Sequence, residues 1–168
     1  MQDISSALTR VLTGRTAFMG IGNTDRGDDG LGVRLAEALM DAGVENVMIA
    51  GTTPENHVIQ LRDGHYDTVV LLDAVLFGAE PGSVTLMDAA EIKSACPQVS
   101  THKLSLGTLA EIVRSGNGTS VWLLGVRPMS IEPRMELSED ARKTVRMLTG
   151  LITAAKSAAQ KRPKREQP

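Results

Sequence analysis

Residues 16–32 read T-A-F-M-G-I-G-N-T-D-R-G-D-D-G-L-G, and the fold is decided there. An apolar segment, Thr16–Ile21, stops at Gly22. From Leu31 onward Leu31, Leu35, Ala38 and Leu39 recur at helical spacing until Gly43. The pattern is a strand, a tight turn and an amphipathic helix. In nucleotide-binding α/β proteins such a turn leaves backbone N–H groups and a positive helix end free to hold an anion. Here the chain places Asp28 and Asp29 at that point, so the missing partner is read as a cation. The dinucleotide fingerprint G-x-G-x-x-G needs glycine where Asp25 stands, and a P-loop needs G-K-S/T where the chain has G-D-D. Two carboxylates would also repel a pyrophosphate.

Outward from this unit the alternation continues. Ile4–Leu12 is expected as a short opening helix or arm. Val47–Ala50 forms a second strand ending in G-T-T-P, with Pro54 suited to the first turn of a helix carrying Val58, Ile59 and Leu61. Val69, Val70, Leu71 and Leu72 form a continuous apolar run closed by Asp73, as in a central parallel strand buried on both faces. Ser83–Met87 follows a turn too short for a crossover helix and is expected to run antiparallel. An irregular stretch around Cys96 and Pro97 leads to a helix from about Ser105 to Arg114, and Ser120–Val126 is the last strand. Ser138 is placed to cap a final helix striped by Leu137, Ala141, Val145, Leu148 and Ile152. The expected class is α/β, a mostly parallel sheet with helices on both faces.

With 168 residues and 42% hydrophobic content, the chain suits one domain. We expect an N-terminal arm over 1–15, the domain over 16–157 and a basic disordered tail over 158–168. Only 2% of residues are aromatic, which argues against stacking on single-stranded nucleic acid. The net charge of −2 hides a +3 tail, K-R-P-K-R-E-Q-P, on a body carrying −5; the tail is read as solvated, without a function of its own. Cys96 is the only cysteine, which excludes an internal disulfide and a multi-thiolate metal site and suits a reduced, cytoplasmic protein. No segment reads as a signal peptide or a membrane span. No nucleic-acid partner and no membrane insertion are expected, and the protein is expected to be a monomer.

In parallel sheets ligands bind beyond the carboxyl ends of the strands. Asp28, Asp29 and Asp73 fall at such ends, and His102, before a helix, could fold over the same edge. An aspartate at a helix start is commonly a cap, but one cap needs one carboxylate. Spacing does not decide whether Asp28 or Asp29 faces the cleft. Asp73 closing a buried strand is costly unless paired, hydrogen-bonded or metal-bound. A lone histidine is usually a satisfied surface group. Together with two carboxylates, however, His102 completes a three-ligand set with positions left for water or substrate. His57 and His65 are read as structural. No G-x-S-x-G elbow is present, and a thiol mechanism would need Cys96 to work with His102, six residues away.

These residues resemble the hydrogenase maturation endopeptidases, which finish the large subunit of nickel–iron hydrogenases. The resemblance covers roughly 17–152 and rests on an ordered series. The 20–32 turn is followed by G-T-T-P-E, L-L-D-A with P-G-S-V after it, S-T-H-K-L-S-L, and G-V-R-P-M-S-I-E-P. It implies a three-layer α/β/α fold of the phosphorylase/hydrolase-like kind, with a five-stranded mixed sheet and one antiparallel strand. It further implies an aspartyl-type endopeptidase that removes a C-terminal extension from the large-subunit precursor after nickel insertion. By motif, the metal contacts fall on Asp29, Asp73 and His102, with Asp29 and Asp73 also the catalytic candidates. The nickel is expected to arrive with the precursor rather than as a permanently bound ion. Two departures are Asp25, where the family is often apolar, and Arg134, where a glycine commonly follows E-P. Arg134 is expected to alter substrate fit and Asp25 to add charge beside the site. The alternative reading is a non-catalytic nickel-sensing binding protein or chaperone for the same precursor.

Overall fold

A computed structural model describes residues 3–95 and 105–161. Cys96, His102 and residues 162–168 of the tail expected over 158–168 lie outside the described residues, while 158–161 continue the last helix instead of starting that tail. The elements run α1 (Ile4–Val11), β1 (Thr16–Ile21), α2 (Leu31–Asp41), β2 (Val47–Gly51), α3 (Val58–Asp63), β3 (Thr68–Ala74), β4 (Val84–Asp88), α4 (Ala89–Ala95), α5 (Leu106–Asn117), β5 (Ser120–Val126) and α6 (Glu139–Lys161). Short 3-10 turns, Gly27–Gly30 and Pro54–His57, precede α2 and α3.

The five strands lie in the order β2-β1-β3-β5-β4. The β1–β2, β1–β3 and β3–β5 pairs are parallel, while β4 runs antiparallel to β5 with Val84 opposite Val126. The expected mixed sheet and its one antiparallel strand are therefore present. β1 is buried throughout and β3 through Asp73, as continuous apolar runs require when both faces are covered.

One face carries Met19, Val69, Leu71 and Leu123 beneath α3, α4 and α5. The other carries Phe18, Val70, Leu72 and Leu124 beneath α1, α2 and α6. Leu8 and Leu12 are fully buried in that second layer, where α1 packs on α6. Along α6 the buried Ala141, Val145, Leu148, Ile152 and Ala155 recur every three or four residues, while Glu139 pairs with Arg142 at 3.0 Å on the outer side.

α4 is a helix that the sequence reading does not anticipate between the Ser83–Met87 strand and the irregular stretch expected around Cys96 and Pro97, which lies outside the described residues. Its signal is local: Asp88 Oδ1 accepts the N–H groups of Ala90 and Glu91 at 2.9 Å, and Glu91 accepts the Asp88 N–H at 2.8 Å. This is a capping box written D-A-A-E. Only Ile92 of the helix is buried, so no apolar stripe announces it in the sequence.

The strand order sets the place of the site. From β1 the chain moves to β2 on one side and then to β3 on the other, so a crevice opens beyond the carboxyl ends of β1 and β3. Gly32 lets α2 start directly over that point, since a Cβ there would collide with the carbonyl oxygens of Leu72 and Ile21.

Candidate active site

The D-D-G turn divides its carboxylates between two tasks. Asp28 is 2% exposed and accepts three hydrogen bonds: from the Met129 N–H at 2.9 Å, the Ser138 N–H at 2.7 Å and the Ser138 hydroxyl at 2.7 Å. Ser138 Oγ in turn accepts the Ala141 N–H at 3.2 Å, capping α6 as its sequence position predicts. Asp28 thus ties the turn after β1 to the loop entering α6, 110 residues away. Backbone bonds run alongside: Gly27 N–H to Arg134 O at 2.7 Å, Asp28 N–H to Ser130 O at 3.1 Å and Arg134 N–H to Asp25 O at 3.0 Å.

Asp29 is half-buried. Among the described residues its side chain accepts one hydrogen bond, from the Asn23 N–H to Oδ2 at 3.1 Å, so Oδ1 stays open for a ligand. Neither carboxylate caps α2, whose N-cap, Gly30, makes no side-chain bond. The capping role weighed for this pair is therefore not taken up, and Asp28 anchors a distant loop instead. Gly22, at φ +131°, faces the Asp29 carbonyl so closely that any side chain would collide with it. That contact folds the turn back over the end of β1.

Asp73 lies 4% exposed at the end of β3, with its Oδ1 accepting the Ala74 N–H at 2.8 Å. The 3-10 turn carrying Asp29 lies against β3. The Gly32–Leu72 contact brings the two chain segments together three residues after Asp29 and one before Asp73. Both candidate carboxylates therefore flank the β1/β3 crevice. Among the described residues no three of His, Cys, Asp and Glu converge on one metal position. His102, the third member of the expected set, lies outside those residues, in the segment leading into α5. A pair of carboxylates at a crevice mouth can bind a cation or take a proton from water.

The two departures from the family pattern fall in the neighbouring loop pair. Asp25 is exposed, with its N–H donated to Asn23 Oδ1 at 2.9 Å. Arg134 lays its side chain beside Gly27, whose φ of +56° and absent Cβ leave room for it. His65, read as structural, accepts from Asn117 Nδ2 at 3.2 Å before β3 begins, at the opposite edge of the sheet.

A family model described as hydrogenase maturation protease (HycI) matches residues 33–155. The chain belongs to the hydrogenase maturation protease family. It is 29% identical over 130 residues to the hydrogenase 3 maturation protease of Escherichia coli, covering 74% of this chain and 82% of that one. A putative hydrogenase maturation protease of Methanocaldococcus jannaschii is 26% identical over 159 residues, covering 86% and 92%. The crystal structure of a NiFe hydrogenase maturation protease, HycI from Thermococcus kodakarensis, superposes with a TM-score of 0.80 at 31% identity, covering 90% of this chain and 99% of that one. The family's activity is thus proteolysis. Asn23 carries no signal of its own in the sequence because it acts through a turn contact to Asp29, and Ser138 reads there only as a helix cap, its bond to Asp28 being visible only in the folded chain.

Three large apolar side chains are exposed around this edge, among charged ones such as Asp25, Arg134 and Glu136. Leu76 after β3 is 51% exposed, and Met129 and Met135, on the loop that Asp28 anchors, are each 65% exposed. No helix among the described residues is long and apolar enough to cross a membrane.

Proposed function

We propose that this protein is an endopeptidase that matures a nickel–iron hydrogenase. It removes a C-terminal extension from the large-subunit precursor after nickel insertion, and reads the precursor-bound nickel through Asp29, Asp73 and His102. The observation that carries this reading is the division of the D-D-G turn. Asp28 is saturated by internal hydrogen bonds, while Asp29 keeps an open carboxylate oxygen at the crevice that Asp73 also borders.

Chemistry favours a shared ion over a resident one. Thiolates of the precursor hold nickel firmly, and two carboxylates with an imidazole form a harder, more exchangeable set, so the protease can test for the metal and let go. Hydrolysis forms a C–O bond from water and breaks the amide C–N bond. Asp29 or Asp73 takes the water proton, which passes to the leaving amine. The exposed Leu76, Met129 and Met135 suit a protein substrate, since flexible thioethers adapt to an apolar partner surface.

The test is the intact mass of the large subunit after incubation with this protein. Loss of a C-terminal peptide from nickel-loaded precursor, with nickel-free precursor left whole, is the expected result. A stable complex without mass loss would instead make the protein a metal-sensing binder.

A further inference from the structure

Among the described residues, two side-chain polar atoms are shut off from solvent with no hydrogen-bond partner: Glu55 Oε2 and Arg127 Nε. Both lie at the carboxyl edge of the sheet. Glu55 sits in the 3-10 turn just after β2, and Arg127 directly follows β5. They also lie toward one face. Val58 and Leu61, which follow Glu55, pack into the layer beneath α3, α4 and α5. On β5, Val121 and Leu123 face the same layer, and a Cβ on Gly125 would meet the Val75 side chain there. The alternation carries on to Arg127, because its N–H still pairs with Ser83 O at 2.9 Å and its carbonyl accepts the Gly82 N–H at 2.8 Å. Asp73 shares the alternation of Val69, Leu71 and Val75, which puts it on that face between the other two.

Glu55 and Arg127 do not satisfy each other. β1 and β3 stand between β2 and β5, so the strands from which the two residues continue are three inter-strand steps of ~4.8 Å, about 14 Å, apart, and no hydrogen bond from a described residue reaches either atom. Both residues are half-buried, but a polar atom shut off from solvent without a partner is costly, and the cost is relieved when a ligand supplies the missing bond. The span equals about four residues of extended chain at ~3.3 Å each. The β1/β3 crevice lies in the middle of it.

We propose that Glu55 and Arg127 bind the polypeptide substrate on opposite sides of the bond to be cut. Arg127 Nε–H donates to a carbonyl or carboxylate oxygen of the substrate, and Glu55 Oε2 accepts an N–H from it. The peptide then crosses the strand ends with its reacting carbonyl over the carboxylates. This rests on the peptidase reading and adds to it two residues that hold the substrate without touching the reacting atoms.

The experiment measures cleavage of nickel-loaded precursor, precursor binding and thermal midpoint for the full chain. It compares wild type with Glu55→Gln, Arg127→Lys and the double variant. Lysine keeps the charge of Arg127 but has no Nε–H. Each single change is expected to raise KM and the Kd for precursor about tenfold, with kcat within about twofold. The double variant should show the product of the two effects, since the sites are too far apart to couple. The thermal midpoint should stay near that of wild type, because neither atom makes a hydrogen bond to a described residue that the change could break. KM and Kd within about twofold of wild type in both single variants overturn the proposal, as does a lowered midpoint with unchanged binding. A wild-type protein that leaves precursor intact would defeat the peptidase reading alone. Weakened precursor binding by both variants would still support Glu55 and Arg127 as the groups that hold the polypeptide.

Discussion

The two edges of the sheet are built from similar residues and behave differently. At the amino edge a cavity of about 260 Å³ lies among Gly14, Arg15, Asn46 and Lys156. Its two cationic side chains are already engaged. Arg15 donates its N–H to Asp67 Oδ2 and its Nη1 to Gly64 O, both at 2.6 Å, and stacks its guanidinium 4.7 Å above Tyr66. Lys156 Nζ donates to Gly14 O at 3.1 Å. At the carboxyl edge, among the described residues, Asp29 keeps an open oxygen and Glu55 and Arg127 keep buried atoms without partners. Room alone marks a place where loops meet. Polar groups left incomplete mark a place where another molecule completes them.

The contrast breaks most sharply at the crevice. Asp73→Asn and His102→Ala should each cut precursor processing by at least ~100-fold in a folded protein, read by mass spectrometry of the large subunit beside a circular dichroism spectrum. Full processing by a folded His102→Ala variant would remove the imidazole from the mechanism.

The next effect is on stability. Asp28→Ala leaves the Met129 and Ser138 N–H groups without their acceptor and deletes three bonds to a charged group. Urea unfolding should show a loss of about 3 kcal/mol or more, with activity falling as the 129–138 loop detaches. Gly32→Ala should cost about 2–3 kcal/mol by the same measurement, because the added methyl meets two backbone oxygens that cannot move aside easily. Retention of wild-type stability would mean that α2 sits more loosely over β1 and β3 than these contacts require.

The smallest effect belongs to the amino edge. Burial holds the Lys156 pKa below its ordinary 10.5, against the opposing pull of Glu45 and Asp67. Between that lowered value and 10.5 the unfolded chain binds more of the proton, so stability should rise slightly with pH in that window. Thermal midpoints taken up to pH 10.5 should show the rise in wild type and lose it in Lys156→Met.

Much of the fold is legible in the sequence because local rules suffice. The runs at Thr16–Ile21 and Thr68–Asp73, the glycines around the D-D-G turn and the cap at Ser138 all act within a few residues of themselves. The mostly parallel sheet follows from the alternation of elements, and with it the edge where carboxylates gather. α4 escapes such a reading although D-A-A-E is a cap signal, because a seven-residue helix with one buried side chain has no periodicity to read. The separate tasks of Asp28 and Asp29 are not legible either. Of two adjacent identical residues, Asp28 is set apart by partners more than 100 residues away, at Met129 and Ser138. The same holds for Glu55 and Arg127, whose significance lies in what fails to meet them in the folded chain.

The division between Asp28 and Asp29 underlies the whole proposed mechanism, and Asp29→Asn tests it most directly. Its thermal midpoint and its rate on nickel-loaded precursor should be measured on the same preparation. The expected result is a midpoint within about 2 °C of wild type, since one neutral-for-charged exchange at a single weak acceptor is involved, together with loss of cleavage. A variant that unfolds several degrees early while its folded fraction still cuts the precursor would contradict that division.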